Sequence, residues 1–275
     1  MKYELEGVSY HVEILNEENK TTLVFLHGFT GSTKTWHEVA ERLTGYRIVL
    51  MDLIGHGKSG RPEDAKRYTM EQQVQDLEEL FDQLDLTFFT LVGYSMGGRT
   101  ALSYAGTYPE RLESLILESA SPGLRFEKER QERRERDAQL AKRILKEGIV
   151  SFVDSWENIP LFDSQKSLPQ AVKEVVRNER LEQNPTGLAN SLIGMGTGSQ
   201  ASYWEKLDQL SMPVLLVTGR LDLKFTAIAE DMMEMLPDGK WKSVEAGHAI
   251  HVEKPAEFAT IVDEYLSFNN RGGKS

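Results

Sequence analysis

The sequence contains no cysteine, so disulfide bonds and thiolate metal ligands are excluded for this chain of 275 residues. It has no apolar run of membrane-spanning length, and residues 1–6 include acids where a signal peptide would be apolar. Acidic residues outnumber basic ones, and the net charge is −11. This charge disfavours nucleic acid as a partner, because the overall field of the protein would repel phosphates. These absences predict a cytoplasmic enzyme with neither a nucleic-acid nor a membrane partner.

Two further types of site are missing from the sequence. Histidine, aspartate and glutamate nowhere show the spacing of metal ligands, so no metal is expected. A glycine-rich loop at residues 27–32 raises the possibility of a phosphate-binding loop. That loop lacks the lysine and the spacing of a P-loop, so another role is favoured.

One stretch that is present organises the chain, residues 93–97 with the sequence Gly-Tyr-Ser-Met-Gly. An apolar run from Phe88 to Val92 predicts a buried strand before it, and a segment of helical composition follows from Arg99. Gly-x-Ser-x-Gly between strand and helix is the nucleophile-elbow pattern, whose sharp turn needs small residues on both sides of the serine. The turn holds the hydroxyl above the sheet edge, so we interpret Ser95 as the reactive residue.

Over much of the chain, continuous apolar runs alternate with segments whose apolar residues recur at helical spacing. Runs such as residues 22–26 predict strands buried on both faces, and the intervening helices imply crossovers and a mostly parallel sheet. Only helical patterns occur at residues 121–210. We therefore predict an α/β fold with a twisted sheet flanked by helices, formed by residues 1–120 and 211–275, and a helical cap inserted between them.

A serine hydroxyl needs an imidazole to take its proton, and six histidines are candidates. His248 follows the last predicted strand, on a loop at the same sheet edge as Ser95. His251 ranks second and is expected at a helix start or on the surface. Asp222 follows the strand run at residues 213–217 and can orient the imidazole through its carboxylate. The order Ser, Asp, His is that of α/β-hydrolases.

An oxyanion hole needs two backbone N–H groups near the serine. The residue after the nucleophile, Met96, supplies one, and the loop after the strand at residues 22–26 supplies the other, which we assign to Phe29. His27 in that loop is expected to support the loop rather than to catalyse. The segment at residues 52–59, Asp-Leu-Ile-Gly-His-Gly-Lys-Ser, is expected to be turn architecture.

Together these motifs resemble the α/β-hydrolase superfamily over nearly the whole chain, a fold that hosts many chemistries. Further residues narrow the match: Arg99 one helical turn past the serine, the pair Phe152 and Trp156, and Lys224-Phe225 beside the acid. With these residues the sequence resembles the family of 2-succinyl-6-hydroxy-2,4-cyclohexadiene-1-carboxylate (SHCHC) synthases of bacterial menaquinone biosynthesis.

The resemblance implies a lyase rather than a hydrolase. Its members remove pyruvate from 2-succinyl-5-enolpyruvyl-6-hydroxy-3-cyclohexene-1-carboxylate, using the triad serine as base and no cofactor. This small-molecule substrate carries three carboxylates, which guanidinium groups bind in bidentate geometry. By motif position, the family's substrate-binding residues correspond to Tyr94, Arg99, Arg133, Trp156 and Arg180.

Helical spacing leaves the assignment of the cap arginines open by about one turn. Arg177 could take the place of Arg180. Three neighbours could take the place of Arg133, namely Arg130, Arg134 and Arg136.

Nine basic residues lie between positions 125 and 146. Most are expected to be solvated, because Glu129–Arg133 and Glu132–Arg136 have the (i, i+4) spacing of surface ion pairs. Only one or two of these nine residues should face the substrate-binding pocket.

Two other functions remain open. A carboxylesterase or a carbon–carbon bond hydrolase of this fold would use the same triad, but has no evident need for Arg99 and the cap arginines. A non-catalytic ligand receptor could retain the triad and bind without turnover. The sequence favours the synthase and leaves the oligomeric state open.

Overall fold

The structure, a computed structural model, describes residues 1–272, with side chains through residue 268. These residues form one eight-stranded sheet. Its strands are β1 (Lys2–Leu5), β2 (Val8–Leu15), β3 (Thr22–Leu26), β4 (Arg47–Met51), β5 (Phe89–Tyr94), β6 (Leu112–Glu118), β7 (Val214–Gly219) and β8 (Gly239–Val244). The strand order is β1-β2-β4-β3-β5-β6-β7-β8, parallel from β4 onwards, with β1 and β2 antiparallel at one edge.

Helices cover both faces of this sheet. They are α1 (His37–Ala40), α2 (Met70–Gln83), α3 (Met96–Ala105), α4 (Glu127–Trp156), α5 (Gln170–Leu181), α6 (Pro185–Met195), α7 (Leu223–Met233), α8 (Ile250–Glu253) and α9 (Pro255–Gly272). Short 3-10 helices lie at Thr33–Trp36, Ala65–Tyr68, Pro109–Arg111, Pro160–Ser167 and Trp204–Gln209. The predicted α/β architecture, a mostly parallel sheet flanked by helices, is confirmed.

Strand β3 illustrates why the central strands are continuous apolar runs. Its residues Val24 and Leu26 pack into the core on one face of the sheet, while Leu23 and Phe25 pack into the core on the other. A strand buried on both faces has no position for a polar side chain. At β5 the predicted start is wrong by one residue, because Phe88 is 59% exposed and the strand begins at Phe89.

The cap lies between β6 and β7, where no described residue is in a strand. Helix α4 is kinked at Gly148, whose φ of 81° is a left-handed conformation that glycine adopts without strain. On the C-terminal side of the kink, Phe152 belongs to an apolar cluster of α4 and α6 residues. Phe29 of the core packs against this cluster. The cap therefore closes over the loops that follow β3 and β5. The boundaries at residues 120 and 210 stay predictions.

Within residues 1–272, no helix has both the length and the apolar character that crossing a membrane requires. The cytoplasmic location stays a prediction.

Candidate active site

Ser95 stands between β5 and α3 with φ 51° and ψ −105°, a strained conformation for a residue with a side chain. The turn is possible because its flanking positions have no side chains. A Cβ on Gly97 would lie 2.2 Å from the carbonyl oxygen of Leu26, and one on Gly93 would lie 2.5 Å from that of Gly97. The Gly-x-Ser-x-Gly pattern is therefore a steric requirement of this turn.

The structure brings Ser95, His248 and Asp222 together from three strand ends. The Oγ of Ser95 lies 3.0 Å from Nε2 of His248, and Nδ1 of His248 lies 2.6 Å from Oδ2 of Asp222. The imidazole is 1% exposed. This is a hydrogen-bonded chain in which the carboxylate can fix the tautomer and the imidazole can accept the serine proton.

Asp222 is anchored by the helix that it precedes. It is the N-cap of α7, and its Oδ1 accepts the backbone N–H of Phe225 at 3.3 Å. The second oxygen is thereby left for His248. A cap residue has a fixed position, so α7 holds the acid in place without a further side chain.

His251 occupies one of its two predicted positions, a helix start, and not the other, the surface. It does lie at the start of α8, but it is 1% exposed, and Nδ1 lies 2.9 Å from both oxygens of Glu118. Its Nε2 lies 2.9 Å from Oγ1 of Thr35. Local patterns do not predict these contacts, because Glu118 comes from β6 and Thr35 from the 3-10 helix before α1.

His27 supports the oxyanion loop, as predicted. Its Nδ1 donates to the carbonyl of Gly28 at 2.8 Å, and its Nε2 accepts the N–H of Leu53 at 3.0 Å. Burial lowers the pKa of His27 to about 4, so the ring is neutral at pH 7. Asp52 also acts within its turn, since it accepts the backbone N–H groups of Thr33 and Lys58 at 2.6 and 2.8 Å.

Two backbone N–H groups are available beside Ser95. Met96 is the first residue of α3, and Phe29 lies in the loop after β3. Among the described residues, neither N–H donates to a protein acceptor, and both residues line the cavity that contains Ser95. Gly28 permits this arrangement, because a Cβ there would lie 2.5 Å from the Tyr94 ring. The two amides can therefore stabilise an oxyanion or bind a carboxylate.

A cavity of about 360 Å³ opens between this edge of the sheet and the cap. Ser95 and His248 form part of its wall, together with apolar and aromatic side chains. Four cationic residues also line it, namely Arg99, Arg125, Arg133 and Lys224. The one acidic residue in this lining is Glu129, whose carboxylate accepts the backbone N–H of Phe126. The cavity therefore favours an anionic ligand with an apolar body.

Arg99 carries a buried charge that lacks an acidic partner. It is 9% exposed, and its Nη1 donates to the carbonyl of Met195 and to Oε1 of Gln200, both at 2.8 Å. No carboxylate of the described residues forms an ion pair with Arg99. Burial and the nearby charge of Arg133 lower the pKa of Arg99 to about 10. A carboxylate entering the cavity would supply the missing counterion.

Arg133 is the one of its four candidate positions that lines the cavity. Its Nε donates to Oδ1 of Asp137 at 2.8 Å, so the predicted pair with Glu129 is wrong. The predicted pair of Glu132 with Arg136 is present at 3.5 Å. The alternatives Arg130 and Arg134 bind elsewhere, to Glu127 and to backbone carbonyls. Of the nine basic cap residues, Arg125 and Arg133 line the cavity, within the predicted number.

Tyr94 and Trp156 are both in the cavity wall. The Trp156 ring stacks on Phe152 at 5.4 Å, and its buried Nε1 has no hydrogen-bond partner among the described residues. Burial raises the pKa of the Tyr94 hydroxyl well above its usual value, so it remains protonated. Each side chain can therefore offer a hydrogen-bond donor at the cavity wall.

Arg180 does not line this cavity. It is 7% exposed, and its guanidinium lies 4.6 Å from the centre of the Phe162 ring, which itself lines the cavity. Its Nη2 donates to Gln165 at 3.2 Å. The alternative, Arg177, forms ion pairs at 2.5 Å with Asp154 and Glu157. The role of Arg180 in substrate binding stays a prediction.

Among the cavity residues that sequence reasoning did not assign to the site are Phe162, Arg125 and Lys224. A signal existed for Lys224, which is two residues from Asp222 at the start of α7. The other two are placed by the cap, whose path the sequence does not specify.

Known proteins share this architecture. Residues 21–255 match the family model of the α/β-hydrolase fold. A Bacillus subtilis (strain 168) protein, provisionally named as an SHCHC synthase, is 48% identical over 263 residues, or 95% of this chain and 96% of its own. The SHCHC synthase of Enterobacter sp. (strain 638) is 32% identical over 89% of this chain and 91% of its own.

A solved structure agrees with these relatives. MenH from S. aureus is 37% identical and has a TM-score of 0.90, covering 95% of this chain and 98% of its own. The resemblance inferred from the motifs is confirmed. The chain belongs to the α/β-hydrolase family and, within it, to the SHCHC synthases.

Proposed function

We propose that this protein is a carbon–oxygen lyase that eliminates pyruvate from 2-succinyl-5-enolpyruvyl-6-hydroxy-3-cyclohexene-1-carboxylate and forms SHCHC. The observation that carries the proposal is a serine–histidine–aspartate chain opening into a cavity lined by four cations and one acid. A tricarboxylate substrate needs such a lining. An ester hydrolase that acts on neutral substrates does not.

The reaction begins with proton transfer. Asp222 holds the imidazole of His248 in the tautomer whose Nε2 accepts the Ser95 proton. The Ser95 oxygen then removes a ring proton from the substrate, and the C–H electrons move through the ring. The ether C–O bond breaks and enolpyruvate leaves. Enolpyruvate then takes up a proton and becomes pyruvate, which balances the proton removed from the ring.

Serine acts here as a base and forms no acyl intermediate. The hydroxyl is suited to this role because the strained turn fixes its oxygen beside His248. The amides of Phe29 and Met96 would bind a substrate oxygen or carboxylate on which negative charge increases. Donors that are already oriented reorganise little during the reaction, which lowers the barrier.

The cationic wall would position the substrate. Arg99 comes from the elbow helix and Arg133 from the cap, so a substrate held by both must lie between the core and the cap. Cap closure excludes water, and ion pairs strengthen when water is excluded. Such positioning supplies a large part of the rate enhancement that we expect.

The proposal is tested by measuring pyruvate release from this substrate with a coupled lactate dehydrogenase assay. Hydrolysis of p-nitrophenyl acetate is measured in parallel on the same enzyme. Rapid pyruvate release with feeble ester cleavage supports the lyase. Brisk ester hydrolysis without pyruvate release would make the protein a carboxylesterase, and binding without either activity would make it a receptor.

A further inference from the structure

Lys224 lies in the wall of the catalytic cavity without an assigned role. It is the second residue of α7, and it is exposed to solvent while lining the cavity. Its Nζ lies 5.2 Å from the centre of the Phe225 ring, and that ring lies 4.6 Å from the imidazole of His248. The ammonium therefore lies against an aromatic side chain that itself packs on the imidazole of His248.

The charge of Lys224 has no carboxylate partner. No described residue forms an ion pair with it, and the nearby acid Asp222 already binds His248 and the N–H of Phe225. Loss of water at the cavity wall, followed by repulsion from Arg133, lowers the pKa of Lys224 below its usual value. Both effects would be offset by an anion bound between the two cations.

The cations of the cavity wall, compared with the carboxylates of the substrate, also favour a binding role for Lys224. The proposed substrate has three carboxylates. Arg99 and Arg133 line the cavity, and Arg180, whose guanidinium packs on the Phe162 ring, does not. A fourth cation, Arg125, lies 3.7 Å from the centre of the Trp204 ring, on which it is stacked. Lys224 is the cavity-lining cation nearest to Asp222 in the chain.

We propose that Lys224 binds one carboxylate of the tricarboxylate substrate and so contributes to its selection. The inference rests on the proposed function. It differs from a role in positioning Asp222, because that carboxylate is fixed by Phe225 and His248 without help from lysine. It also differs from a solvated surface lysine, because the side chain faces the cavity.

The test compares three variants in the pyruvate-release assay. Lys224→Met removes the charge and keeps the length, while Lys224→Arg keeps a cation. Lys206→Met is the matched control, since Lys206 is also exposed and its Nζ also lies 5.2 Å from an aromatic ring, that of Tyr203, away from the cavity. Circular dichroism checks that each variant is folded.

Removing a charge-assisted hydrogen bond should raise KM by about 10- to 100-fold for Lys224→Met, with kcat within about threefold of wild type. Lys224→Arg should recover most of the affinity, and Lys206→Met should leave KM unchanged. If Lys224→Met keeps the wild-type KM, or lowers kcat alone, Lys224 does not bind the substrate.

Calorimetric binding of tricarballylate, a saturated tricarboxylate, separates this inference from the proposed function. Tighter binding to wild type than to Lys224→Met supports the carboxylate site even if wild type releases no pyruvate, in which case only the proposed reaction fails. Equal tricarballylate binding and equal KM values, with normal pyruvate release, would overturn the Lys224 site and leave the reaction intact.

Discussion

Glu118 binds His251 with both carboxylate oxygens, each 2.9 Å from Nδ1, and also accepts the backbone N–H of His251 at 3.1 Å. Glu118 ends β6, and its carbonyl accepts the N–H of Ser95 at 2.9 Å. His251 is three residues after His248. One buried pair therefore joins the nucleophile turn to the loop that carries the general base.

Breaking this pair should disturb both stability and catalysis. Glu118→Ala would leave the buried Nδ1 and backbone N–H of His251 without their acceptor. An unsatisfied buried polar group costs about 1–3 kcal/mol, so we expect the free energy of unfolding to fall by at least about 2 kcal/mol. We also expect kcat to decrease more than KM increases, because the His248 loop loses its anchor. Urea unfolding and pyruvate release measure these effects.

Glu132→Ala is the control for that substitution, since its ion pair with Arg136 is exposed. It should change stability by less than about 1 kcal/mol. Similar losses in the two variants would show that the buried pair has no special role.

Ser95→Ala should remain folded and lose at least about 10³-fold in kcat, because the relay then has no group to deprotonate. Ser95→Gly should be equally inactive but more stable than Ser95→Ala by about 1 kcal/mol, since glycine adopts the positive φ without strain. Thermal unfolding compares the two inactive proteins. Substantial pyruvate release by either protein would rule out serine as the base.

Arg99→Met should weaken substrate binding and stabilise the free enzyme. The substitution removes a buried charge without a carboxylate partner, so the midpoint of thermal unfolding should rise or remain unchanged, while KM rises by about 10-fold or more. Arg136→Met, at an exposed site on the cap, is the matched control and should alter neither quantity. A large loss of stability in Arg99→Met would indicate a mainly structural arginine.

Stability should decrease on mild acidification. Burial lowers the pKa of His27 to about 4, and burial together with the neighbouring His27 lowers that of His56 to about 3. Below about pH 6.5 the unfolded chain protonates both rings and the folded chain does not, so unfolding takes up protons. The free energy of unfolding should therefore fall from about pH 6.5 towards pH 4.

Each such histidine contributes a slope of up to about 1.4 kcal/mol per pH unit. His56→Asn removes one of the two titrating groups and keeps a donor for the carbonyl of Ile54. It should roughly halve the slope in this range, as measured by urea unfolding at several pH values. An unchanged slope would mean that other groups account for the loss of stability.

The sequence was enough to identify Ser95, His248 and Asp222, which form the hydrogen-bonded chain. A nucleophile elbow requires Gly93 and Gly97 for steric reasons, and Asp222 follows β7, which is a continuous buried run. His248 follows β8, a more polar strand, and is placed by coming after the last strand of the sheet. Carboxyl ends of parallel strands share one edge of the sheet, so local patterns place these residues together. The relay of Ser95, Asp222 and His248 is predictable for this reason.

Residues outside those patterns depended on the tertiary structure. The spacing of α4 identifies several arginines equally well, and the packing of α4 on α6 selects Arg133 for the cavity. The path of the cap also brings Phe162 against both Arg180 and His248. Local sequence determines which residues face one side of a helix, but long-range contacts determine what that side meets. The hydrogen-bonded chain of Ser95, His248 and Asp222 could therefore be predicted from the sequence, while the rest of the cavity wall was decided by the fold of the cap.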